Sequence, residues 1–119
     1  MTQNEMLGEI IGALDSKKAE DIQAIGIGDL TIIADYFIIA NGNSTTHTRA
    51  LADEVEYRLG KLGKKPDRVE GYAGSTWIIV DYGDIVVHVF YKETREFYSL
   101  ERLWSDGEQV DISKFIKDN

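Results

Sequence analysis

The chain has 119 residues, no cysteine, and 21 acidic against 13 basic side chains, for a formal charge of −8. A chain of this length forms one domain and buries roughly two-thirds of its unfolded surface, enough for a core without covalent staples. Disulfides and thiolate metal sites are excluded by composition. No apolar run approaches the ~20 residues of a membrane span, and no basic, apolar leader opens the chain, so a cytoplasmic protein is expected. The acidic surplus repels phosphate backbones and argues against direct sequence-specific nucleic-acid binding. It suits a basic protein partner instead. The basic cluster of Lys61, Lys64, Lys65 and Arg68 falls around a predicted helix end, where cations complement the helix dipole.

In chain order, Met6, Leu7, Ile10, Ile11 and Leu14 recur at helical spacing and predict an amphipathic helix over 3–16. Residues 21–27 roughly alternate in polarity and predict a strand closed by Gly28. Residues 36–40 are continuously apolar, the pattern of a strand covered on both faces. Asn41-Gly42-Asn43-Ser44 breaks that run, and Asn43, Ser44 or Thr45 can cap a second helix lined by Leu51, Val55, Leu59 and Leu62. Pro66 forbids its continuation. A short strand over 68–71 precedes two stronger ones, 77–82 and 85–91, rich in β-branched and aromatic residues and linked by Gly83-Asp84 as a tight hairpin. Short helical turns are expected over 93–97 and 100–105. Residues 1–106 are read as the domain and 107–119 as a polar, loosely attached tail, with Val110, Ile112, Phe115 and Ile116 able to dock a final turn. This order predicts an α/β fold, with a mixed sheet of about five strands and helices packed on it.

The residues offer little catalytic chemistry. A magnesium-dependent nucleotidyltransferase needs convergent carboxylates, and Asp-x-Asp on a strand would supply them. Here Asp81 and Asp84 stand three apart across a turn. They read more simply as a strand-end and a turn residue. His47 and His88 are too far apart to suggest a metal centre. His88, mid-strand, reads first as a hydrogen-bonded sheet histidine and second as a partner contact. No nucleophile elbow or Gly-rich phosphate loop occurs. Gly26-x-Gly28 is read as a turn. Trp77, at a strand start, suits either core or partner contact, and Trp104 suits the core. No cofactor is expected.

Several segments together carry a resemblance. They are Glu70-Gly71, Trp77, Asp81-Tyr82-Gly83-Asp84, Val87-His88-Val89-Phe90, and Tyr98-Ser99-Leu100-Glu101 with Leu103-Trp104. Upstream stand Asp35-Tyr36-Phe37-Ile38-Ile39-Ala40, Gly42-Asn43-Ser44 and Ala52-Asp53. In this order and spacing the chain resembles the ribosomal silencing factor, or Iojap-like, family over roughly residues 5 to 106. One departure is Thr46, where the family often carries an Arg.

The resemblance implies a nucleotidyltransferase-like core without its activity. It also implies binding to the large ribosomal subunit through the L-fourteen ribosomal protein. That binding would block joining of the small subunit and repress translation under nutrient limitation, by occupancy and not catalysis. A homodimer in isolation is implied as well. The residues expected to meet the partner are Glu70, Trp77, Asp81, Tyr82, Asp84, His88, Tyr91, Arg95 and Tyr98. The alternatives are the nucleotidyltransferase, using Asp81 and Asp84, and a dimeric adaptor with a non-ribosomal partner.

Overall fold

The computed structural model describes residues 1–116. Helix α1 (Gln3–Ser16) starts at Thr2, whose hydroxyl accepts from the Glu5 amide at 3.1 Å while the Glu5 carboxylate accepts from the Thr2 amide at 3.2 Å. This reciprocal capping satisfies two amides that the helix leaves free. Helix α2 (Thr45–Lys61) starts at Ser44, whose hydroxyl accepts from the His47 amide. The His47 ring then accepts from the Asn43 amide through Nδ1, so its Nε2 donates to the Lys17 carbonyl at 2.7 Å. His47 thus ties the start of α2 to the end of α1.

The strands are β1 (Glu20–Gly26), β2 (Tyr36–Gly42), β3 (Arg68–Glu70), β4 (Trp77–Asp81), β5 (Ile85–Tyr91) and β6 (Glu108–Gln109). They form one mixed sheet in the order β3-β4-β5-β2-β1-β6, in which only β2 and β5 run parallel. The expected mixed sheet is present, with six strands in place of about five. The added strand is β6, which pairs Glu108 and Gln109 with Gly26 and Ile25. Val110, Ile112, Phe115 and Ile116 also pack on the core, so residues 107–116 are docked, and the rest of the expected tail lies outside the described residues. The predicted hairpin closes where the Tyr82 amide donates to the Ile85 carbonyl.

β2 and β5 are central, and both are buried along almost their whole length, as their unbroken apolar runs require. One face of the sheet, carrying Ala24, Ile38, Ala40, Ile78, Val80, Ile85, Val87 and Val89, packs on α1 and α2. The opposite face carries Ile25, Phe37, Ile39, Val86 and Phe90, and is covered by Leu100 and Trp104. These come from α4 (Leu100–Leu103) and the residue after it, which follow α3 (Lys92–Tyr98). Two faces covered so unequally leave part of the second face accessible.

Candidate functional site

Strand periodicity decides which candidate residues can meet. Successive side chains alternate faces, so Trp77, Ile79 and Asp81 of β4 project to the second face. Arg68 and Glu70 of β3 pair with Asp81 and Ile79 and project with them. The result is a half-open strip. Trp77 and Ile79 form its apolar floor, and Asp81, Arg68 and Glu70 form its charged edge. Arg68 Nε donates to Asp81 Oδ2 at 3.1 Å and lies 3.7 Å from Glu70 Oε2. The other oxygen, Asp81 Oδ1, accepts from the Gly83 amide at 2.8 Å and sets the hairpin turn. Asp84 is exposed in that turn.

Trp77 links this strip to an aromatic groove. Its ring stacks on Phe90 with centroids 4.8 Å apart and tilts against Tyr98 at 4.9 Å; Phe97 meets Tyr98 edge-on at 5.1 Å. Trp77, Tyr91, Glu93, Phe97 and Tyr98 are among the residues lining a groove of about 490 Å³. Phe97 is 81% exposed, and Leu103 of α4 is 75% exposed. Exposed aromatic and aliphatic side chains at this density mark an interaction surface more than a catalytic cleft. The exposure of Phe97 and Leu103 was missed in the sequence because a short helical turn of unknown docking angle has no readable face.

The segment before Trp77 is fixed in place. Tyr72 donates its hydroxyl to Asp53, which raises the phenol above its ordinary pKa, and Arg49 donates to the Ser75 hydroxyl. Gly71 has φ +79°, and a Cβ there would sit 2.1 Å from the Trp77 carbonyl oxygen. Gly71→Ala is therefore expected to lower the melting temperature and displace Trp77. Gly63→Ala, at φ +82° but in open space, carries backbone strain alone and is expected to cost only about 1 kcal/mol. Thermal melts with tryptophan fluorescence of both variants check this. Equal losses with unchanged emission would contradict it.

Three of the expected contact residues are wholly or partly buried. Tyr82 packs with the core beneath the helices, where burial and the Glu56 carboxylate push its phenol far above the ordinary range. Arg95 is buried. Its Nη1 donates to the Asp21 carbonyl at 2.7 Å and to Asn41 Oδ1 at 2.9 Å, and its Nε donates to Glu101 at 2.8 Å. It fastens α3 and α4 to the ends of β1 and β2. His88 lies on the second face but is 95% covered, by residues including Phe37, Trp77 and Phe90. Its Nδ1 accepts from the Trp77 indole at 3.1 Å, the sheet hydrogen bond expected of it. Glu70, Trp77, Asp81, Asp84, Tyr91 and Tyr98 remain on or beside the accessible strip and groove.

Burial lowers the His88 pKa from 6.5 to about 4, with the nearby Asp81 charge opposing the shift. The unfolded chain therefore binds this proton at a higher pH than the native one. The stabilisation from neutral His88 is fully present above pH 6.5 and is lost as pH falls to about 4. It amounts to on the order of 3 kcal/mol. Denaturant unfolding from pH 7 to pH 4 is expected to show that loss, reduced in His88→Phe. An identical pH slope in the variant would contradict it.

Among the described residues, no three His, Cys, Asp or Glu side chains gather as a metal-holding group. Asp81 accepts from Arg68 and from the Gly83 amide, while Asp84 is exposed in the adjoining turn. No helix among the described residues is long and apolar enough to cross a membrane.

Comparison with known proteins agrees with the resemblance. The family model described as "Ribosomal silencing factor during starvation" matches residues 1–119. A ribosomal silencing factor of Halalkalibacterium halodurans is 39% identical over 116 residues, covering 98% of this chain and 99% of its own. The crystal structure of a protein from Chromobacterium violaceum superposes with a TM-score of 0.86 at 33% identity, covering 95% of this chain and 93% of that one. A more distant mouse relative, "Mitochondrial assembly of ribosomal large subunit protein 1", is 33% identical over 99 residues, which are 81% of this chain and 43% of its own. With its full length matched by the family model, its sheet shared with a solved relative and its second face left half open, the chain belongs to the ribosomal silencing factor family.

Proposed function

We propose that this chain represses translation when nutrients are short by binding the large ribosomal subunit through its L-fourteen protein, on the surface that receives the small subunit. An occupied bridge surface cannot also dock the small subunit, so binding alone accounts for the effect and no chemical step is needed. The whole-length family match carries the reading. The name of the mouse relative adds the large subunit as the object of the interaction.

The accessible strip supports it physically. Ribosomal proteins are commonly basic, and Glu70, Asp81 and Asp84 stand beside the apolar floor of Trp77 and Ile79. Complementary charge speeds and orients the encounter, while aromatic anchors supply most of the affinity. The chain acts in the cytoplasm as a homodimer when free, with the unpaired edge of β3 available for strand pairing. Light scattering over a concentration series checks the dimer, and monomer mass throughout would contradict it.

Sucrose-gradient sedimentation of lysate, probed for this chain, tests the ribosomal reading. Comigration with free large subunits and not with isolated small subunits is expected. Confinement to the top of the gradient, with purified large subunits also failing to bind, would contradict it.

A further inference from the structure

Among the described residues, Arg68 is the only cation paired with either Asp81 or Glu70. It comes from the edge strand of the accessible face, and its side chain is 66% exposed while that of Asp81 is only 16% exposed. Asp81 Oδ1 accepts from the Gly83 amide and Oδ2 accepts from Arg68 Nε, so Arg68 already neutralises the carboxylate that an incoming cation would meet. Asp84 is exposed in the adjoining turn, and Asp67 approaches Gly83 there. One guanidinium thus sits between the Asp81 and Glu70 carboxylates on the face that a basic partner would meet.

Resting on the ribosomal reading above, we propose that Arg68 is a built-in placeholder. On the free protein it occupies the seat between Asp81 and Glu70 that an arginine or lysine side chain of the protein partner takes on docking. The seated guanidinium itself shows which chemistry the seat accepts. An ion pair this exposed is weakly held, so displacing it is easy. If Arg68 stayed, it would face the incoming cation with like charge beside the same carboxylates. The contact therefore restrains binding, and it keeps the carboxylates paired when no partner is present.

The test compares binding of purified large subunits by the wild-type chain, Arg68→Gln and Lys114→Gln, by pelleting at fixed salt. Lys114 lies over the Phe115 ring, which packs against Gly8 of α1, and its replacement changes net charge by the same amount. Arg68→Gln is expected to bind about threefold tighter than Lys114→Gln, with melting temperatures near wild type. Arg68→Ala is expected to tighten binding likewise. In an Asp81→Asn background, which keeps Oδ1 for the turn, the gain from Arg68→Gln should largely vanish. Wild-type binding with Arg68→Gln and Arg68→Ala no tighter than Lys114→Gln would overturn this inference alone. Failure of the wild-type chain to bind large subunits would overturn it together with the ribosomal reading.

Discussion

Arg95→Ala is expected to lower the unfolding free energy by about 3–5 kcal/mol, the cost of breaking a buried ion pair from one side. The guanidinium is 5% exposed and holds Glu101, Asn41 and the Asp21 carbonyl together. Removing it leaves Glu101 and Asn41 short of a donor in a poorly solvated place. It also frees α3 and α4, which the rest of the chain holds largely through Leu100 and Trp104. Arg95→Lys keeps the charge but cannot reach three acceptors at once, so most of the loss should remain. Denaturant melts of both variants check this. A loss under 1 kcal/mol in Arg95→Ala would contradict the latch.

Trp77→Ala is expected to reduce affinity for large subunits thirtyfold or more, since truncating an aromatic anchor costs about 2 kcal/mol or more. It should also cost stability, because the ring stacks on Phe90 and its indole donates to His88. Val55→Ala separates the two effects. Val55, on α2, is fully buried against the helix-covered face of the sheet, opposite the accessible one. Its truncation should cost on the order of 1–3 kcal/mol of stability and leave the folded fraction binding normally. Melts and pelleting of both variants decide the matter. If folded Trp77→Ala binds as wild type does, Trp77 is a core residue and the contact face lies elsewhere.

The sheet and its two long helices were legible in the sequence because each rests on local signals. The helical spacing of α1, the Ser44 cap, the unbroken apolar run of β2 and the turn at Gly83 all follow from near neighbours. Strand parity also predicts that Tyr82 points to the opposite face from Asp81, where it packs with the core beneath the helices. β6 had no such signal: Glu108 and Gln109 are polar, and they join the sheet through backbone hydrogen bonds that any sequence can make. Arg95 was illegible for a different reason. Its acceptors at Asn41 and Asp21 lie 54 and 74 residues away in sequence. Only the folded sheet brings them under α3 and turns an arginine expected at the partner surface into an internal fastening.

Subunit joining, followed by light scattering, tests the central claim most directly. Large subunits preincubated with saturating chain are mixed with small subunits, and formation of the complete ribosome is recorded. Joining is expected to be blocked by the wild-type chain and restored in large part by Trp77→Ala. Joining to the same extent with and without saturating wild-type chain would contradict the account.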